Sequence, residues 1–379
     1  MIEVADILRR HGPAYRQQHP LLPSQQKVLT DLVRCRTAAC GGQLYQCDRC
    51  GYEHYSYHSC GNRHCPKCHG QQTQRWLEQQ RERLLPCAFY FVTLTLPAEL
   101  RALVYARQKA LYGLLLKCAA ASLQKLAWDP NYVGGQLAML AVLHTWRRDL
   151  RDHPHVHLLV SAGGLSADGQ SWVPAKNPAF LMPGYAVSKI FKGKFKAGLK
   201  KLAAFNQVPP AVWQRPWKNV QIQHAGRGDK VLDYLGRYAF RIAISNSRLE
   251  RFENGQVTFG YRDRKTREKK HPTLSAEEFI RRFLRHVLPK GFVKVRSYGL
   301  WSGVNGDKLK KARALLAVPE PPTPQALAQL AEAEPPASTQ SPPLARCPQC
   351  QSGHLIWIAS LLRQRAAPPE RWPQQTRGP

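Results

Sequence analysis

The densest chemistry in the chain lies in His153-Pro-His155-Val-His157. Side chains alternate along a strand, so His155 and His157 would project from one face while Val156 and Leu158 project from the other. Two imidazoles side by side on a rigid strand form a preorganised site for a divalent cation. The upstream segment Ala138–Trp146 also reads as a strand, and the charged run Arg147–Asp152 supplies a turn. In an antiparallel hairpin turning near residues 149–151, His144 falls opposite His155 or His157. Three imidazoles would then converge on one ion, with positions left for phosphate oxygens and water. An isolated pair of histidines two apart is usually structural; the third in register favours the ligand reading.

A second constellation is Asp233-Tyr234-Leu-Gly-Arg-Tyr238. Residues four apart stack on one helix face, so Tyr234 and Tyr238 would present both phenols in one direction. The competing reading is an aromatic face packed in a core. Lys230, Arg237 and Arg241 make this face cationic instead, and Gly236 weakens the helix between the phenols. A phenol titrates near 10, so neighbouring cations help expose the phenolate at neutral pH. The two constellations together predict metal-assisted phosphoryl transfer to tyrosine, leaving a covalent phosphotyrosine and a free hydroxyl. Such a linkage conserves phosphodiester energy, so strands can be rejoined without ATP.

The chain has 11 cysteines, and seven of them fall within residues 35–69. Cys47-Asp-Arg-Cys50 and Cys65-Pro-Lys-Cys68 are CxxC pairs whose inner cysteines are separated by 14 residues. A two-residue gap lets a tight turn bring both sulfurs to one tetrahedral ion, and Gly51 suits that turn. The spacing predicts a structural zinc held by Cys47, Cys50, Cys65 and Cys68, the alternative being buried free thiols. Cys35, Cys60 and His64 with one further group form a possible second zinc site; otherwise they are packing thiols and a surface imidazole. Cys347-Pro-Gln-Cys350 is half a site, to be completed by His354, by another part of the fold, or by nothing.

Elements must position these groups. Hydrophobic periodicity predicts helices over Trp76–Leu85, Arg101–Leu126 and Asp229–Tyr238, and strands over Ala88–Leu96, Ala138–Trp146 and His155–Ser161. The linear organisation is then a helical lead and zinc-binding module over 1–73 and a mixed globular unit over 74–317. A Pro/Ala-rich linker follows over 318–344, then a mobile tail with a lone CxxC over 345–379. At 379 residues with 43% apolar content the chain can bury a real core, but its charge is unusual. Lys and Arg number 56 against 25 Asp and Glu, a formal net charge of +31. Residues 186–301 alone carry 26 Lys or Arg against 8 Asp or Glu, interleaved with aromatics. Cations follow a phosphate backbone and aromatic faces stack unpaired bases, which favours single-stranded or unwound nucleic acid as partner. No run reaches the roughly 20 apolar residues of a spanning helix, and the N-terminus lacks a signal peptide's apolar centre. Without a secretory signal the cysteines read as thiols or ligands, and the expectation is a cytoplasmic, nucleoid-associated bacterial protein with no membrane partner.

At these residues the sequence resembles the two-tyrosine HUH rolling-circle transposases of the insertion sequence 91 family, relatives of replication initiators and conjugative relaxases. The resemblance runs from about residue 30 to residue 317. It rests on Ser59-Cys60, Arg63-His64-Cys65-Pro-Lys-Cys68, His144-Thr-Trp146, His153-Pro-His155-Val-His157 and Tyr234-Leu-Gly-Arg-Tyr238. Ile244-Ser-Asn-Ser-Arg248, Phe279-Ile-Arg-Arg-Phe283 and His286-Val-Leu-Pro-Lys-Gly-Phe292 extend it. It implies an α+β fold in which a zinc-binding module precedes a ferredoxin-like nuclease core with a central antiparallel sheet. It also implies nicking of single-stranded transposon ends through 5′-phosphotyrosine. His155 and His157 take the place of the HUH ligands to Mg or Mn, with His144 as a third, and Tyr234 and Tyr238 that of the nucleophiles. Many members carry Thr-His after the second tyrosine where this chain has Ala239-Phe240. Two other readings are a plasmid relaxase or replication initiator of the same chemistry, and a non-catalytic zinc-dependent DNA-binding regulator.

Overall fold

A computed structural model of the chain describes residues 2–68, 70–227, 230–231, 236, 239, 243–263, 266–317 and 345–364. Its main elements in chain order begin with helices α1 (Val4–Gln18) and α2 (Pro23–Arg34), then strands β1 (Gly42–Cys47) and β2 (Glu53–Tyr57). Helix α3 (Gly70–Arg81) leads to β3 (Phe89–Thr95), α4 (Gln108–Ala127), β4 (Gln136–Trp146), β5 (Asp152–Leu165) and β6 (Trp172–Pro174). Next come α5 (Gly184–Lys201), β7 (Val220–Gly226), β8 (Leu249–Glu253), β9 (Gln256–Phe259) and β10 (Thr273–Ser275). Helix α6 (Ala276–Arg285), β11 (Val295–Gly299), α7 (Gly306–Leu316) and β12 (Leu355–Leu361) complete them. No described helix is long and apolar enough to cross a membrane.

The fold is mixed α/β, and its strand pairings are antiparallel. The central sheet runs β11-β4-β5-β3-β7, with β6 beside the end of β5. Its middle strands are buried on both faces, which is why Leu137–Leu143 reads as an unbroken apolar run rather than an alternating one. One face, carrying Val92, Leu94, Met139, Ala141, Val156, Leu158 and Val160, packs on α4 and α5. The other, carrying Phe89, Ala138, Leu140 and Leu159, packs on Trp301 and on Ala312 of α7. The expected helix over Arg101–Leu126 is two helices, Arg101–Ala106 and α4, broken where Arg107 takes φ −124° and ψ 44°.

The packing units differ from the linear division. Helices α1 and α2 do not form a lobe with the cysteine segment alone. Val4, Ile7, Leu8, Val28, Leu29 and Leu32 share a second core with Phe259, Phe279, Ile280 and Phe283, far down the chain. The three-stranded sheet β10-β9-β8 belongs to that core. The C-terminal segment is not a loose tail over 345–364. Strand β12 pairs antiparallel with β1, which pairs in turn with β2.

Candidate active site

The β4–β5 hairpin sets the histidines in register. His144 lies opposite His155 and Val142 opposite His157, while on the other side of β5 Thr93 pairs with His157 and Thr95 with His155. Alternation puts His155 and His157 on the face of Leu159, away from Val156 and Leu158 in the helix-packed core. The turn between the strands is closed by Arg147 N–H donating to Arg151 O at 2.9 Å and Leu150 N–H to Arg147 O at 3.0 Å. Pro154 has no N–H to give, and the β4–β5 ladder is irregular between His144 and Trp146.

The imidazoles of His144, His155 and His157 bring one nitrogen each to within 4.8 Å of the others. His155 Nε2 and His157 Nε2 are 3.1 Å apart. The backbone around them fixes proton positions. His155 Nδ1 lies 2.6 Å from the carbonyl oxygen of His153, which only accepts, so Nδ1 carries the hydrogen and Nε2 a lone pair. His157 Nδ1 meets the Thr93 hydroxyl at 3.0 Å, and its ring stacks on Phe91 at 5.0 Å. His144 and His157 are 3% and 4% exposed, and Trp146 stacks on His144 at 4.7 Å. At 3.1 Å the two Nε2 atoms need either a proton on His157 Nε2 or a cation between them. Ligands at right angles around an ion about 2.1 Å from each nitrogen stand about 3.0 Å apart, close to the observed separation. The donor set and its spacing fit a divalent cation.

These histidines lie in a cleft of about 800 Å³ whose wall includes Arg147, Arg148, Arg215, Lys218 and Arg248, against Asp149 and Asp263. A cleft so lined attracts an anionic backbone. One residue that residue chemistry alone gives no reason to single out holds the hairpin from behind. His286, 2% exposed, donates from Nε2 to Leu150 O at 2.9 Å and accepts at Nδ1 from the Thr145 hydroxyl at 3.1 Å. Burial pulls its pKa down to about 4, so it stays neutral. Its signal in the sequence is only its place in the motif that closes α6. Tyr234 and Tyr238 lie outside the described residues; near them Lys230, Val231, Gly236 and Ala239 are helical, and Val231 and Ala239 are buried.

The cysteines group otherwise than their spacing predicts. Cys47, Cys50, Cys65 and Cys68 do not share one site. Cys65 and Cys68 join Cys35 and Cys60, with Cys68 Sγ 3.3 Å from Cys35 Sγ and 3.5 Å from Cys60 Sγ. Cys47 and Cys50 join Cys347 and Cys350. His64 stands outside both groups, and its Nε2 accepts from Leu288 N–H at 3.4 Å. In the first group, hydrogen bonds from the Cys60 and Cys65 thiols hold Cys35 well below the ordinary thiol value, and the same bonds push Cys60 and Cys65 above it. Arg63, between these cysteines in sequence, donates to Leu288 O and Pro289 O and so fastens the group to the core.

Comparison with known proteins agrees with these features. The family model described as a putative transposase matches residues 138–308, which span the hairpin, and the one described as a transposase zinc-binding domain matches residues 7–96. The class is therefore a zinc-binding transposase, whose partner is DNA. The chain belongs to the insertion sequence 91 family of transposases. It is 38% identical to a putative transposase of Sinorhizobium fredii over 98% of both chains. It is 29% identical to the transposase for insertion sequence element IS801 of Pseudomonas savastanoi, over 79% of this chain and 76% of that one. No solved structure matches. The zinc-binding domain and the cysteine groups support structural zinc.

Proposed function

We propose that the protein nicks and rejoins single-stranded transposon ends by HUH chemistry, with His144, His155 and His157 as ligands of a catalytic divalent cation. Tyr234 and Tyr238 are the nucleophiles in this reading, and the central sheet is the ferredoxin-like nuclease core. The observation that carries it is the register: three imidazoles from two neighbouring strands converge at a cationic cleft. A cation held by His144, His155 and His157 would supply Lewis-acid stabilisation of the scissile phosphate. Three nitrogen donors suit manganese better than magnesium, which prefers oxygen.

The protein's own groups do the rest. The His153 carbonyl and the Thr93 hydroxyl orient two of the imidazoles, and the cleft arginines hold the strand. The phenolic oxygen bonds to phosphorus in line as the P–O3′ bond breaks. The phenol loses its proton to solvent, and the departing O3′ gains one to become a 3′-hydroxyl. The DNA is left joined through its 5′-phosphate to tyrosine, and attack by a 3′-hydroxyl reverses the step without ATP. Two phenols allow two cleavages within one complex, as a rolling-circle-like transfer of the element requires.

The test is incubation with labelled single-stranded oligonucleotides from the element's own ends and manganese or magnesium. A protein–DNA adduct that survives denaturation is expected, and Tyr234→Phe with Tyr238→Phe should remove it. His155→Ala or His157→Ala should abolish cleavage while sparing much of the binding, because the cationic side chains of the cleft wall remain in place. An adduct that persists in the double phenylalanine variant would overturn the mechanism.

A further inference from the structure

Cys47-Asp-Arg-Cys50-Gly51 closes β1, and Cys347-Pro-Gln-Cys350-Gln351 precedes β12. The two turns have one construction. Gly51 N–H donates to Cys47 O at 3.1 Å, and Gln351 N–H donates to Cys347 O at 3.0 Å. The residue after each second cysteine is left-handed, with φ 72° at Gly51 and 56° at Gln351. Backbone N–H groups aim at sulfur in both turns: Arg49 N to Cys47 Sγ at 3.4 Å and Gly353 N to Cys350 Sγ at 3.3 Å. Such bonds stabilise a thiolate over a thiol.

The turns face each other across a small space. Cys47 Sγ is 3.7 Å from Cys350 Sγ, Cys50 Sγ is 3.7 Å from Cys347 Sγ, and all four sulfurs lie within 4.8 Å. A tetrahedral ion with bonds of about 2.3 Å sets its sulfurs about 3.8 Å apart. A disulfide would need about 2.05 Å. The approach is tight enough to require glycine: a Cβ on Gly353 would stand 2.5 Å from Cys47 Sγ. Asp48 N–H donates to His354 O at 3.1 Å, and His354 N–H donates to Asp48 Oδ1 at 2.8 Å, so the turns are also laced together.

Apolar packing does not account for this junction. Its core is Cys47, Cys347 and Leu355 with partly buried Tyr45 and Tyr52, while Ile356, Trp357 and Ile358 of β12 are exposed. A three-stranded sheet with so little buried surface needs a cross-link to hold. We propose that Cys47, Cys50, Cys347 and Cys350 form a second zinc site, assembled from both ends of the chain, that clamps β12 to the N-terminal module. The unit is a ribbon of two knuckles and three strands whose halves are some three hundred residues apart. Residues 318–344 then connect two anchored points, α7 and the clamp.

The test uses the full-length protein with its zinc exchanged for Co(II), because sulfur-to-cobalt charge-transfer bands report thiolate sites and not imidazole ones. Two tetrathiolate equivalents are expected per chain, and Cys347→Ser with Cys350→Ser should halve the signal while His155→Ala leaves it whole. Iodoacetamide mapping of the native zinc protein gives a readout that depends on no variant. Cys50 is solvent-exposed, yet it should resist alkylation until a chelator is added. A single thiolate-bound cobalt, rapid alkylation of Cys50 in the zinc-loaded protein, or thiols found oxidised to disulfides would each overturn the clamp.

Discussion

The ring nitrogens of His155 are assigned by their neighbours rather than by any ion. A carbonyl that can only accept leaves Nε2 as the sole ligand atom of His155, and the Thr93 hydroxyl, which can donate or accept, orients the His157 ring. Partners of this kind typically govern metal affinity by 10- to 100-fold. Thr93→Val keeps the β-branched shape that the strand favours and deletes only the hydroxyl. It should raise the manganese concentration needed for half-maximal cleavage by about 10- to 100-fold with DNA binding unchanged, as read by titrating metal at fixed oligonucleotide. The histidine triad is legible in the sequence because strand alternation is strict and a short turn leaves little freedom of register. The cysteine pairing is not, because one CxxC knuckle looks like another and spacing carries no record of which two meet. Proximity along the chain favours Cys50 with Cys65, whereas the fold brings Cys50 to Cys347. His64 misleads for a related reason: an imidazole beside cysteines reads as a ligand, and its acceptor role toward Leu288 depends on a segment distant in sequence.

The hairpin that carries the triad is held as an element by α6 and the residue after it. Arg282 donates to Asp149 O at 3.2 Å, Arg285 meets Asp152 at 3.4 Å, and His286 bonds both Leu150 and Thr145. Sequence periodicity locates these strands to within a few residues, but the helix over Ala276–Arg285 is not among those it predicts, and it says nothing of the clamp between them, which joins positions more than a hundred residues apart. His286 titrates near 6.5 in an unfolded chain and at about 4 in the fold, where burial opposes its charge. The unfolded state therefore binds more protons between these values. The stability that neutral His286 permits is complete above pH 6.5 and is lost as pH falls toward 4, to a total of about 3 kcal/mol. Urea unfolding at pH 7 and pH 5 should show this decline. His286→Leu should flatten it while lowering stability at pH 7 by about 1–3 kcal/mol, because Leu150 O and the Thr145 hydroxyl lose a buried partner.

Across the whole molecule, two cores and a ribbon are drawn together by contacts between distant parts of the chain. The N-terminal helices pack on Phe279, Ile280 and Phe283, and the C-terminal strand returns to β1. A division into consecutive domains misses this because composition marks where chemistry changes, not which apolar faces meet. The charge, by contrast, is fully legible from composition, and it sets the last expectation. With a net +31 and five cations along the cleft wall, phosphate contacts should dominate affinity for DNA. Six to ten such contacts imply a loss of about 10³ to 10⁵ in affinity between 50 and 200 mM salt. Arg148→Ala or Lys218→Ala should weaken binding uniformly across oligonucleotide sequences and reduce the slope of log K against log salt by about 1 each. Fluorescence anisotropy over a salt series measures both quantities. A salt-independent affinity would mean that base stacking or base-edge recognition, not the cationic cleft, holds the strand against the histidines.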